Sequence, residues 1–395
     1  MVNIFKQIKL FFHKAARVGF NVLSALFIPL KNNKITIIAT QRKGFGCNVK
    51  YVAKEIKKQF GDKYEMTWIS DYPKTCDEIR KFGIKVKKMN TLPYVFCQLA
   101  SKFVVYNDSV PSYLPKRKGQ VYINTWHGGI NYKHIGYDYL LDQSAVALKK
   151  FAMRNPEPDY LTSGSRFFTE DTAKSFRFDE KVFMPWGLAR NAILFDEIEK
   201  KEAREKVRNT FGVHDEKILI YAPTFRIGLA SDVHGLDFGM AAEAMSERFG
   251  GKWKIFYRGH GFVEGNPEID AVVTDATSYA DMSELTAAAD AMISDYSSAM
   301  WDMIFTGKPI FAYVPDIKEY AAHDRSFAYP VEKWPYPIAE NNDELAEKIR
   351  SFDEIEFDKA VKKHLEDAGS FENGQCAKKI AELIDKLSEK NKNKD

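Results

Sequence analysis

An alternation of short apolar runs with helical stretches, occurring in two successive sets, limits this chain more than any other feature. Residues 35–40 have the continuous apolar character of a buried strand; a loop with two glycines (Lys43-Gly44-Phe45-Gly46) follows, and 48–60 reads as a helix. Further strands are expected at 66–70, 84–87, 103–106 and 121–125. Strands separated by helices pair in parallel through right-handed crossovers, so the first set predicts an open, doubly wound α/β unit. A second set begins after a junction marked by Pro, Gly and Asn at 185–191. It has strands at 217–222, 253–257, 272–274, 291–294 and 310–313, with helices at 240–249 and about 298–305. The stretch 340–386 reads as helical, and 386–395 as a charged, frayed end. Two such Rossmann-like units in tandem leave a cleft facing the carboxyl ends of their strands, where ligands bind in sheets of this kind.

Composition agrees with two units. A chain of 395 residues, 45% apolar, fills two ordinary cores. The net charge of +4 is too small for a nucleic-acid binder, but it is unevenly placed: ten Lys or Arg precede the first acidic residue, Glu55. Ile4, Phe5, Ile8, Phe11, Phe12, Ala15, Val18, Val22, Leu23 and Leu26 follow a helical period, with Lys6, Lys9, Lys14 and Arg17 largely off that stripe. The nearly apolar part, 18–30, is shorter than the roughly twenty residues a spanning helix needs. Residues 1–30 are therefore expected to lie in the plane of an anionic membrane surface as an amphipathic, monotopic anchor on the cytoplasmic face. The alternative is a first helix packed on the protein's own core. The four cysteines (Cys47, Cys76, Cys97, Cys376) are scattered without metal-ligand spacing and read as free thiols.

Four segments at expected strand ends carry chemistry. In Asn124-Thr125-Trp126-His127-Gly128-Gly129, the histidine should face the cleft, where it can accept a proton near neutral pH; the glycines let a substrate approach backbone. A histidine hydrogen-bonded in a turn is the structural alternative. In Tyr257-Arg258-Gly259-His260-Gly261, Arg258 and His260 suit a phosphate. In Ser294-Asp295-Tyr296-Ser297-Ser298, two hydroxyls meet the start of a helix and suit a diphosphate, although one serine alone would serve as an ordinary cap. Asp302 on that helix could meet a ribose or alditol hydroxyl, or simply be exposed. In Tyr221-Ala222-Pro223-Thr224-Phe225-Arg226, Thr224 and Arg226 should face the same side as the serines. There is no Asp-x-Asp, no Walker-type loop and no complete dinucleotide fingerprint, so neither a metal nor a cofactor is implied.

In this order, these motifs resemble the CDP-glycerol glycerophosphotransferase family of teichoic acid and capsule synthesis. Gly307-Lys308-Pro309-Ile310 follows at the spacing of that family, and the resemblance covers roughly 34–315. It implies a GT-B fold: an acceptor domain over 31–188 and a CDP-donor domain with terminal helices over 189–395. It also implies attack by an acceptor hydroxyl on a CDP-alditol, with release of CMP. His127 would be the general base; His260 and Arg258 would hold the diphosphate and aid departure of CMP. Ser297, Ser298 and Thr224 would complete the cradle, with Gly128, Arg226, Asp295 and Asp302 also in contact with substrate. The implied partners are a CDP-glycerol or CDP-ribitol donor, a lipid-linked saccharide acceptor and the inner leaflet of a bacterial membrane. The family's junction reads Gly-x-Pro-Arg-Asn-Asp, whereas Gly187-Leu188-Ala189-Arg190-Asn191-Ala192 lacks the proline and the aspartate. The length resembles short members that add one or a few units. The competing readings are a GT-B glycosyltransferase with a nucleotide-sugar donor, a nucleotide-sugar epimerase and a non-catalytic lipid-carrier binder.

Overall fold

The computed structural model describes residues 19, 27–39, 44–140, 144–224, 226, 235–259 and 272–389. The first unit is a seven-stranded parallel sheet: β1 (Lys31–Ile38), β2 (Glu65–Ser70), β3 (Lys85–Lys88), β4 (Ser101–Tyr106), β5 (Val121–Asn124), β6 (Tyr160–Thr162) and β7 (Phe183–Met184). Its order is β3-β2-β1-β4-β5-β6-β7. The second is a six-stranded parallel sheet: β8 (Lys217–Ala222), β9 (Trp253–Tyr257), β10 (Val273–Asp275), β11 (Ala291–Ser294), β12 (Ile310–Tyr313) and β13 (Ile338–Ala339). Its order is β10-β9-β8-β11-β12-β13. In each sheet the chain winds one way from the first strand and then the other, so switch points fall between β1 and β4 and between β8 and β11. Those are the crevices where doubly wound sheets bind ligands.

Burial on both faces explains why the strands read as apolar runs rather than alternating ones. Ile35 and Ile37 pack with Val49, Val52 and Ile56 of the helix Cys47–Phe60, whereas Ile38 and Val104 pack with Tyr94 and Leu99 on the opposite face. In the second unit Leu219, Ile220, Met292, Ile293 and Phe311 share one large cluster. The strands missed by the sequence reading, β6, β7 and β13, have only two or three residues each and carry no apolar run of their own.

The stretch 340–386 resolves into three helices, Asn342–Arg350, Glu354–Ala368 and Cys376–Glu389. Side chains of Asn341 and Asp353 cap the first two, and Gly369 closes the second with a φ of 65°. The last helix corrects the expected boundary. Its stripe of Cys376, Ile380 and Ile384 lies in the core with Val49, Val52 and Ile56, and Tyr64 Oη donates to Asp385 Oδ1 at 2.6 Å. The chain thus returns to finish the first unit. Of residues 1–30 only 19 and 27–30 are described, so the amphipathic-anchor expectation lies outside the described residues, as does the end beyond 389. Ile28 packs against the Tyr94–Leu99 cluster, which places the entry of the chain on the first unit. Among the described residues no helix is long and apolar enough to cross a membrane.

Candidate active site

The loop after β5 is rigid by construction. Trp126 has a left-handed backbone (φ 48°), and its N–H donates to Asn124 Oδ1 at 2.8 Å. Asn48, at the start of the helix Cys47–Phe60, donates through Nδ2 to the carbonyls of Thr125 (2.9 Å) and Trp126 (2.8 Å). His127 stacks on the Trp126 ring at 4.7 Å, and its Nδ1 lies 2.9 Å from Asn107 O. A carbonyl only accepts, so Nδ1 carries the hydrogen and Nε2 is the basic nitrogen of the neutral ring. That tautomer is the one a general base needs.

Across the cleft, the segments after β8 and β11 are locked together. Asp295 accepts from Thr224 N (2.9 Å), Thr224 Oγ1 (2.6 Å), Tyr296 N (2.5 Å) and Arg226 NH1 (3.0 Å). Asp316 takes the other side of the Arg226 fork at 2.6 and 2.9 Å, and the guanidinium lies beside the stacked rings of Tyr296 and Tyr320. Where the sequence suggests substrate contacts for Arg226 and Asp295, both side chains are 2% exposed. Four of the five N–H donors of Arg226 go to Asp316, Asp295 and the Thr224 carbonyl, so the two side chains hold Thr224 in place.

Asp302, which the sequence leaves either at a substrate hydroxyl or exposed, is buried and pairs with Arg190 at 2.5 Å. The helix begins at Ala299, one residue later than expected, and Ser297 Oγ, not Ser298, accepts from its first turn at Ala299 N (3.2 Å). Ser298 instead faces Gly128: a Cβ at Gly128 would come 3.0 Å from Ser298 Oγ. The His127 loop and the serine pair therefore share one cleft. Arg258 NH1 donates to the carbonyls of Ala276 and Thr277, which ties it to the loop after β10. His260 lies outside the described residues.

Close approach of the two units explains several glycines. A Cβ at Gly46 would lie 2.5 Å from Ala280 O, and one at Gly129 only 2.2 Å from Trp301 Nε1. Beside the Gly46 contact, Lys50 spans the boundary to Asp281 (2.8 Å) and Glu284 (2.5 Å) in a buried ion cluster. Beside Gly129, Glu372 accepts from Leu188 N at 3.0 Å; burial, with Asp302 nearby, pushes its carboxyl up to about 8. Motif reading missed Glu372, Asn48 and Lys133. Glu372 acts from far along the chain and leaves no local signal. Asn48 directly follows the Gly-rich loop, and Lys133 follows the His127 loop; their positions beside those motifs were the available clue. A group able to hold a cation is His134, Asp138 and Asp171, within 4.8 Å of one another. Both carboxylates already accept from protein donors, Ser175 and Asn131.

A family model described as CDP-Glycerol:Poly(glycerophosphate) glycerophosphotransferase matches residues 21–386. The chain belongs to that family. It is thus an enzyme of the glycerophosphotransferase kind. The chain is 26% identical over 369 residues to the teichoic acid poly(glycerol phosphate) polymerase of Bacillus spizizenii, covering 90% of this chain and 92% of that one. It is 28% identical to the teichoic acid glycerol-phosphate transferase of Staphylococcus aureus, over 72% of this chain and 76% of the other. It spans about half the length (45%) of the Bacillus subtilis poly(glycerol phosphate) polymerase, at 24% identity over 84% of this chain. In fold, it matches the wall teichoic acid polymerase TagF with a TM-score of 0.81, at 23% identity, over 97% of this chain and 99% of that chain.

Proposed function

We propose that this member of the family transfers glycerol phosphate from CDP-glycerol to a hydroxyl of a lipid-linked saccharide, releasing CMP, in teichoic acid-type polymer synthesis. The observation that carries the reading is His127, held as the Nδ1–H tautomer by Asn107 O, on a loop that meets Ser298 of the second unit across the cleft. The acceptor oxygen attacks the phosphorus that bears glycerol, and its proton goes to His127 Nε2. The bond from that phosphorus to the bridging oxygen breaks, and the electron pair leaves with CMP. Ser297 and Ser298 are the hydroxyls set to meet the diphosphate, on a loop pair that Thr224 ties to Asp295, with His260 and Arg258 completing the set.

Donor choice has one specific competitor. The teichoic acid ribitol-phosphate primase of Bacillus spizizenii is 23% identical over 93% of this chain and 94% of that one, so CDP-ribitol is the second reading. The basic, helix-periodic first thirty residues support work at an anionic membrane surface, where a lipid-linked acceptor resides. The test is CMP release from CDP-glycerol, CDP-ribitol and UDP-sugars with a lipid-linked disaccharide acceptor, for wild type and His127→Ala. Release from CDP-glycerol, lost in the variant, supports the proposal. Turnover of a UDP-sugar alone sinks it.

A further inference from the structure

Lys133 leaves the His127 loop and crosses to the second unit. Its backbone pairs with Phe327 in an antiparallel bridge; the next residue donates from His134 N to Ser326 O at 3.0 Å, and the preceding Tyr132 O accepts from Ala328 N at 3.0 Å. The side chain then passes the Tyr320 ring, with Nζ 5.8 Å from its centroid, and ends 3.5 Å from Thr224 Oγ1. Among the described residues no carboxylate lies within 4.0 Å of this ammonium. Asp295 attracts it but is already taken by Thr224, Tyr296 and Arg226. With no carboxylate among the described residues within 4.0 Å, this ammonium beside the anion cradle is placed to meet an anion brought by a ligand.

We propose that Lys133 is a donor-contacting cation of the transfer site: carried by the first unit, its ammonium meets the diphosphate held by the second and offsets the charge that builds on the departing CMP. The inference rests on the transferase reading above. Lys133 forms and breaks no covalent bond; it donates a hydrogen bond to the bridging oxygen as the phosphorus–oxygen bond breaks, and the electron pair stays with CMP. Because the lysine belongs to the same loop as His127, donor binding in one unit seats the base supplied by the other.

The titration of this group supports the geometry. Burial holds Lys133 down to about 7; Asp295 and Asp324 act against that, while Arg325 and Arg226 add to it. At pH 8 the free amine is then mostly neutral, and a bound diphosphate restores its charge, so binding takes up a proton.

The experiment is calorimetry at pH 8 in two buffers of unlike ionisation enthalpy. CDP-glycerol, UDP-N-acetylglucosamine and pyrophosphate are titrated into wild type, Lys133→Met and Lys133→Arg. The expected result is net proton uptake by wild type that disappears in both variants, with binding weakened in Lys133→Met and kept in Lys133→Arg. For CMP release, kcat/KM falls ~100-fold in Lys133→Met, the scale of losing one preorganised donor to a transition-state oxyanion. Donor affinity and kcat/KM in Lys133→Met equal to those of wild type overturn the inference. Lysine-dependent uptake with the UDP-sugar but not with CDP-glycerol keeps the inference and overturns the CDP-alditol reading.

Discussion

Arg190 and Asp302 form a buried ion pair, 2.5 Å from guanidinium nitrogen to carboxylate oxygen, with neither side chain more than 7% exposed. The pair joins the segment after β7 to the helix Ala299–Ile304 behind the serine pair. Arg190 N–H donates to Asn48 Oδ1 at 2.8 Å, and the amide of Asn48 holds the carbonyls on either side of the Thr125–Trp126 peptide. A continuous set of contacts therefore runs from the helix Ala299–Ile304 to the backbone that aims His127.

Removing one partner of such a pair strands a charge. Asp302→Leu or Arg190→Met alone should destabilise the fold by ~3–5 kcal/mol, whereas the two together should recover most of that loss. The recovered double variant should still transfer, since the backbone N–H of residue 190 keeps its bond to Asn48 Oδ1. Denaturant unfolding of the four proteins of this cycle, beside CMP release, checks both parts. Additive losses in the double variant would refute the stranded-charge account.

Gly128 and Gly129 should differ sharply on substitution by alanine. At Gly128 the new methyl meets Ser298 Oγ at 3.0 Å, and a serine side chain can yield by rotation. At Gly129 it would overlap the indole of Trp301, at 2.2 Å from Nε1 and 2.5 Å from Cδ1, and Trp301 is fully buried. Gly129→Ala is expected to lower the thermal midpoint and abolish transfer, because the two units must part. Gly128→Ala is expected to fold normally and bind donor more weakly. Equal midpoints for the two variants would count against the close packing of the units here.

His127→Ala should lower kcat for CMP release by ~10²–10⁴, the usual contribution of a positioned base, with the affinity for CDP-glycerol kept. Asn48→Ala should produce part of the same loss without touching substrate, because it frees the two carbonyls that fix the loop. Rapid-quench kinetics separate the chemical step from binding. A His127→Ala enzyme with weakened donor binding but wild-type kcat would make this histidine a ligand rather than a base.

The doubly wound units and the positions of the motifs were legible because both depend on local pattern: apolar runs of strand length, and loops at their carboxyl ends. The places of His127, Thr224, Ser297 and Ser298 just after β5, β8 and β11 were readable for that reason. What escaped depends on partners far apart in the chain. Arg226 and Asp302 look like ligand-facing residues until Asp316 and Arg190 are seen beside them, 90 residues away in the case of Arg226 and Asp316. The last helix looks like part of the second unit, since amphipathicity tells that a face is buried but not against what.

Glu372 makes a pH dependence whose sign can be stated. In the folded chain, burial first and then the charge of Asp302 raise its carboxyl from the ordinary 4.5 to about 8, against hydrogen bonds from Leu188 N and Trp301 Nε1. Between these values the folded form keeps a proton that the unfolded chain has released, so this group's contribution to stability falls as pH rises through that window and levels off above it. Two other groups act in the opposite sense. Burial holds His364 down to about 4, so its contribution grows as pH rises toward 6.5; that of Lys133 grows from about 7 toward 10.5. The wild-type curve is therefore a mixture, and the difference from Glu372→Gln isolates the glutamate. The amide keeps an acceptor for Leu188 N and cannot ionise. Relative to wild type, Glu372→Gln should gain stability steadily from about pH 5 to about pH 8, measured by denaturant unfolding at several pH values. A constant offset between the two curves would mean that Glu372 is already ionised in the fold, and that the contact beside Gly129 and Gly187 is held by a carboxylate rather than a carboxylic acid.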